Sequence, residues 1–335
     1  MKALTPIPLA EIVAARARIE GAAIRTPLLR LDPPAQVGEG ETDGSAEIWL
    51  KLECLQPIGS FKIRGAANAM ALADPGTLAG GVYTASAGNM AQGVAFAARR
   101  LGIGCRVIVP DSAPAAKLDA IRALGGELVT LPYDEWWAVI REHGHPDERG
   151  FFVHPVADSA VIAGNGTIGV EIVEELPDVA TVFVPYGGGG LSCGIASAMK
   201  ALRPGTRVFA TEVATAAPFA ASLEVGSPVS IRRTPSFVDG IGSGSLLEEM
   251  WPLASEMLDG SRVVTIEETC EAIRTLVARA HVVAEGAGAS AVAAAVAATQ
   301  ESGRAAGPIV AVVSGGNIDT DVLRTILAGG TPGAR

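Results

Sequence analysis

Cysteine, basic residues and charge in general are in short supply in this chain, and each shortage closes off a class of function. Four cysteines, Cys54, Cys105, Cys193 and Cys270, are scattered through 335 residues with no C-x-x-C pair. That excludes a disulfide framework and a thiolate zinc site, and points to reduced thiols in a cytoplasmic protein. Lys and Arg number 26 against 36 Asp and Glu, a formal net charge of −10. With no basic stripe to displace counterions from phosphates, nucleic-acid binding is excluded. Charged residues make up only 19% against 49% hydrophobic, the reverse of a disordered composition. Glu11, Arg16, Arg18 and Glu20 interrupt the N-terminal apolar positions, so no signal peptide is expected. The uncharged stretch Gly286 to Gln300 is mostly small residues and falls short of the ~20 residues that cross a bilayer. No membrane partner is expected.

What is present is a rhythm. A β-branched run, a glycine-rich turn and an alanine-rich helical stretch recur at 82–102, 105–126, 181–205 and 309–327. Strands alternating with helices indicate an α/β fold with parallel sheets covered on both faces. Runs such as VFVP and VAVV lack polar alternation, as strands buried on both sides should. The length suggests two domains. We expect a large one from 1–72 plus 154–335 and a small inserted one at 73–153. A polar Gly/Pro-rich loop is expected at 32–47, ahead of the strand in IWLKLE.

Few motifs carry chemistry by themselves. Gly187 to Gly190 follow the run TVFVPY and open a helix, where successive backbone amides and the helix dipole make an anion cradle. Four glycines in a row cost backbone entropy, which a closely held anion explains better than a turn does. The strings GNGTIG (164–169) and GAGASA (286–291) match the dinucleotide fingerprint literally. No strong strand precedes the first, and Val184 and Ala306 stand where an acidic residue belongs, so both are expected to be helix entries or close-packing glycines. His143 and His145 are read as a solvated turn, and His154 and His281 as structural. A lone Lys62 between Phe61 and Ile63 would by default snorkel. A desolvated lysine near a phosphate cradle can instead form a Schiff base with an aldehyde cofactor, and pyridoxal phosphate needs that pair of features.

The strings SFKIRGA (60–66), SAGN (86–89), GGGGL (187–191) and SGGN (314–317) resemble, in order, fold-type II pyridoxal-phosphate enzymes of the threonine/serine dehydratase and serine racemase group. FVHP (152–155), VIAGNGTIGVEI (161–172), VDGIG (238–242) and VVAEGAGA (282–289) extend the likeness from about Ile12 to Leu327. The resemblance implies two parallel-sheet βα domains of the tryptophan-synthase-β-like architecture. It implies Lys62 as the Schiff-base lysine with Phe61 beside the cofactor ring, and Asn89 on the cofactor's phenolic oxygen. Gly187, Gly188, Gly189, Gly190 and Leu191 would hold the phosphate, and Ser314 would face the pyridine nitrogen. Ser86, Ala87, Gly88, Asn89 and Met90 would receive the substrate carboxylate, with Gly240 and Glu285 bordering the site. The activity implied is β-elimination of a small β-hydroxy amino acid, such as L-threonine or L-serine, to a 2-oxo acid and ammonia. Lys62 would remove the α-proton. A homo-oligomer, dimer or tetramer, is also implied.

Several positions depart from that group. Met90 stands where its dehydratases usually carry His, which bears on substrate choice. Ala87 stands where serine racemases place a hydroxyl-bearing base. Glu212 and the carbonyl of Ala216 suggest part of a divalent-cation loop, but Pro218 replaces the further carboxylate, so no metal is expected. The aromatic tract Tyr133 to Trp137 either lines a pocket or packs a helix, with packing the favoured reading. The chain ends soon after SGGN, so no C-terminal regulatory domain is expected. Racemisation, β-replacement, or cofactor binding without turnover are the alternatives.

Overall fold

The β-branched runs become the strands of two sheets in a computed structural model that describes residues 4–31, 47–300 and 307–333. The loop expected at 32–47 falls, apart from Glu47, outside the described residues. In chain order the strands are β1 (Leu28–Leu31), β2 (Ile48–Lys51), β3 (Val82–Ala85), β4 (Cys105–Pro110) and β5 (Gly126–Leu131). They continue with β6 (Phe151–Phe152), β7 (Thr181–Pro185), β8 (Arg207–Val213), β9 (Ser261–Val264) and β10 (Ile309–Val312). Six form one sheet in the order β1-β2-β10-β7-β8-β9, and four form another in the order β5-β4-β3-β6. Among the described strands only the β1–β2 pair is antiparallel. Every residue of β3, β7 and β10 is buried, which is why their sequences show no polar alternation. No described helix is long and apolar enough to cross a membrane.

Parallel sheets put their functional loops at the carboxyl ends of the strands. Here β3 runs into Ser86–Asn89, β7 into Gly187–Gly190 and β10 into Ser314–Asn317. Three helices pack closely behind these loops: Lys62–Leu72, Ser159–Glu175 and Gly190–Leu202. Small residues let them approach. A Cβ on Gly164 would sit 2.4 Å from the Arg64 carbonyl, and one on Gly194 would sit 2.5 Å from that of Ile162. The GNGTIG string therefore lies inside the helix Ser159–Glu175 as a packing face, while GAGASA opens the helix Gly286–Gln300.

The Lys62–Leu72 helix carries the most demanding side chain in the interior. Arg64, 1% exposed, lies between two buried carboxylates. Its Nε and Nη2 donate to Glu53 at 2.8 and 2.9 Å, and its Nη1 and Nη2 donate to Glu171 at 2.7 and 2.9 Å. Lys51 completes the set, its Nζ 2.7 Å from Glu171 and donating at 2.6 Å to the Thr26 carbonyl. Two cations and two anions cancel. Burial alone would pull the guanidinium down, but the charges and hydrogen bonds of Glu53 and Glu171 outweigh it and leave its pKa raised. Burial likewise pushes Glu53 up, yet Arg64, then Lys51 and Thr26, hold it below the usual carboxylate range. Removing one partner strands the others in a dry interior, which costs about 3–5 kcal/mol. Arg64→Leu should therefore lower the urea stability of the apoprotein by about that amount, and a loss under about 1 kcal/mol, the level of a surface pair, would contradict the network's weight.

Candidate active site

The three strand-end loops and the start of the Lys62–Leu72 helix converge on a cavity of about 700 Å³. Phe61, Lys62, Ser86, Ala87, Gly88, Asn89 and Met90 line it, together with Gly187, Gly188, Gly189, Gly190, Leu191, Gly240, Glu285 and Ser314. Residues as far apart in the chain as Phe61 and Ser314 thus share one wall. Backbone bonds hold the assembly. Phe61 N donates to the Ser314 carbonyl at 3.0 Å, Cys54 N to that of Val313 at 3.0 Å, and Gly316 N to that of Gly59 at 2.8 Å.

Lys62 is the reactive candidate. Its Nζ donates to the Pro155 carbonyl at 2.8 Å and lies 5.2 Å from the Phe61 ring centre. Burial lowers its pKa to about 8, against the opposing charge of Glu285. Burial raises Glu285 to about 7, with the Asn89 hydrogen bond pulling the other way. The wall thus carries a weakly basic amine and a weakly acidic carboxyl, because solvation of either charge is denied.

The glycine run is shaped as a cradle. A Cβ on Gly187 would lie 2.8 Å from the Gly240 carbonyl, and one on Gly188 would lie 2.7 Å from Val156. Gly189 adopts φ +93° and precedes the helix Gly190–Leu202 with no side-chain cap. That left-handed turn aims main-chain N–H groups at the cavity without side chains in between. The helix Asn89–Leu101 also starts uncapped by a side chain, after Gly88. Its first residues, Asn89 and Met90, line the same cavity. Met90, 2% exposed, offers no side-chain donor there.

Other expectations resolve differently. Tyr133, Trp136 and Trp137 line the cavity, although both tryptophans also pack on the main core; the tract does more than pack its helix. His143 is not part of a solvated turn: its Nε2 is 2.9 Å from Glu249 and its ring stacks on His154 at 4.3 Å. His154, 2% exposed, accepts from the Val156 and Ala157 amides at Nδ1, so Nε2 donates to the Ile140 carbonyl and no lone pair is left for a metal. Burial, then the charge of His143, lowers its pKa to about 3. Glu212 accepts from the Phe219 and Ala220 amides at 2.8 Å each and from the Ser261 hydroxyl at 2.6 Å. Those bonds cap the helix Pro218–Val225, so the carboxylate of the suspected cation loop is engaged within the chain. All four cysteines are free and buried.

Sequence reasoning passed over the Lys117–Asp239 ion pair, which bridges two sides of the cavity lining. It also assigned nothing to Asn317, which lines the cavity as well. The only signal for Asn317 was its place at the end of SGGN.

The cradle, the desolvated amine beside it and the capless helix start fit a phosphorylated aldehyde that binds an amino acid. Comparison with known proteins agrees. The family model described as "Pyridoxal-phosphate dependent enzyme" matches residues 19–315. The chain belongs to that family. An L-threonine ammonia-lyase of Geobacter sulfurreducens is 41% identical over 286 residues, covering 84% of this chain and 70% of the relative. Maize serine racemase superposes with a TM-score of 0.84 at 30% identity, covering 97% of this chain and 98% of that one. The processed form of threonine deaminase isoform 2 from Solanum lycopersicum gives 0.81 at 32% identity, covering 98% and 97%.

Membership of the family makes the Lys62 amine directly testable. Only its neutral form attacks an aldehyde. A lowered pKa means that the protonated fraction falls as pH rises through about 8. Pyridoxal phosphate added to the apoprotein should therefore give a coloured adduct at a rate that climbs to about pH 8 and then levels. A rate still climbing at pH ~10, as for an exposed lysine, would contradict the desolvated setting.

Proposed function

We propose that the chain is a pyridoxal-phosphate-dependent ammonia-lyase that converts a small β-hydroxy amino acid, L-threonine or L-serine, to a 2-oxo acid and ammonia. The observation that carries the proposal is one cavity lined by both the buried Lys62 and the Gly187–Gly190 cradle. The likeness to an L-threonine ammonia-lyase over 84% of the chain supports it. Bound there, pyridoxal phosphate supplies an aldehyde for amines and a ring that withdraws electrons from the α-carbon of an amino acid.

The chain's own residues do the rest. The amides of Gly187 to Leu191 would hold the phosphate, Asn89 would meet the ring oxygen and Ser314 the ring nitrogen. A serine there keeps the ring a weaker electron sink than a carboxylate would. That favours prompt departure of a β-hydroxyl over transfer of the amino group. The first amides of the helix Asn89–Leu101 orient the substrate carboxylate, and Lys62 Nζ takes the α-proton. The pKa near 8 leaves part of that amine uncharged at neutral pH, and the Pro155 carbonyl fixes its direction. Loss of water and then hydrolysis account for all atoms: threonine gives 2-oxobutanoate and ammonia, serine gives pyruvate and ammonia.

The unit built on β3 to β6, residues 73–153, is proposed to be an inserted domain that contributes the carboxylate loop. A cytoplasmic dimer or tetramer is proposed as the working form. Racemisation, favoured by the likeness to maize serine racemase, needs a second base on the opposite face, and Ala87 supplies no hydroxyl there.

Holoenzyme incubated with L-threonine and L-serine should release 2-oxo acid and equimolar ammonia, read by a coupled dehydrogenase assay. Lys62→Ala should lower kcat by at least the ~100-fold that a positioned general base contributes. Accumulation of D-amino acid as the main product would overturn the lyase reading.

A further inference from the structure

A directed chain of hydrogen bonds crosses the site and begins at a main-chain carbonyl. Asn317 Nδ2 donates to the Ile58 carbonyl at 2.9 Å and to Asn89 Oδ1 at 2.8 Å. Asn89 Nδ2 then donates to Glu285 Oε1 at 2.9 Å. A carbonyl oxygen can only accept, so it decides which end of the Asn317 amide is nitrogen. That end in turn decides the orientation of Asn89.

Glu285 could not make that decision. Burial places its pKa at about 7, and a neutral carboxyl donates as readily as it accepts. Facing such a group alone, the Asn89 amide would be stable either way round.

The backbone around the relay is cleared for it. Gly59 adopts φ +69°, and a Cβ there would lie 2.6 Å from Asn317 Oδ1. A Cβ on Gly315 would lie 2.5 Å from Glu285 Oε1 and 3.3 Å from Asn89 Nδ2. The Gly59 carbonyl accepts from Gly316 N at 2.8 Å, so the segments bearing Asn317 and Ile58 cannot drift apart independently.

We propose that Asn317 is a positioning residue that locks the Asn89 amide so that N–H, never oxygen, is presented to the cofactor. The proposal rests on Asn89 and Lys62 being cofactor residues. Asn89 Nδ2 carries two hydrogens. Glu285 takes one and the second is left for an oxygen of the bound group. A reversed amide would instead turn its oxygen toward that oxygen and its NH2 against the NH2 of Asn317.

Asn317→Asp keeps the size of the side chain, removes the donor and adds an acceptor, which turns the Asn89 NH2 toward position 317. Asn317→Ala removes the lock without imposing the wrong orientation. Pyridoxal-phosphate affinity, measured by quenching of protein fluorescence, should weaken about tenfold or more in the Asp variant, the scale of one hydrogen bond to a charged acceptor. It should weaken less in the Ala variant. The visible band of the Asp holoenzyme should shift, and its pH titration with it. An Asp variant with wild-type affinity, band and titration would overturn the lock, as would an Ala variant weaker than the Asp one, since bulk alone would then be at issue. Failure of the wild-type protein to take up the cofactor would overturn the cofactor reading, and the lock with it. Should the Asp variant not fold, neutron diffraction from wild-type holoenzyme crystals decides between the two ends of the Asn89 amide. Nitrogen toward the cofactor is expected, and oxygen there would overturn the proposal.

Discussion

The guanidinium of Arg64 sits in a dry interior between Glu53 and Glu171, and the site depends on it. Two residues earlier the same helix begins with Lys62. One carboxylate comes from the short turn after β2 and the other from the helix Ser159–Glu175, so a single cation ties two further elements to the lysine's own helix. Replacing the whole buried set by apolar residues of equal volume would serve stability as well as the ion pairs do. It would not fix direction, because only a planar fork bonded on both edges sets the rotation and depth of the helix that carries it.

Given that anchor, the chemistry follows from denying water to charge. Lys62 and Glu285 approach neutrality from opposite sides, at pKa values of about 8 and 7, because burial penalises each charged form. The cavity lining also includes the glycine cradle and the helix start after Gly88, where main-chain amides are free of side-chain caps. Main-chain donors are preorganised by the sheets behind them and need no reorganisation when an anion arrives.

Much of this was legible in the sequence, and the limits have physical causes. Strands buried on both faces, such as β7 and β10, announce themselves by unbroken β-branched runs. The edge strands β1 and β9 are half exposed, and a run like LLRL or SRVV carries no such mark. The lysine and glycine motifs were visible because their chemistry restricts residue type at adjacent positions. Asn317 was visible only as a letter in a motif, since its role depends on Ile58 and Asn89 meeting it from 259 and 228 positions away. Spacing misled at His143, where local sequence described a charged turn but Glu249 reaches the ring through the fold.

The account stands or falls on the amine of Lys62. Holoenzyme reduced with borohydride, digested and analysed by mass spectrometry should yield the cofactor's mass on the peptide that carries Lys62 and on no other lysine peptide. An unmodified Lys62 peptide from a preparation that still turns over its substrate would contradict it.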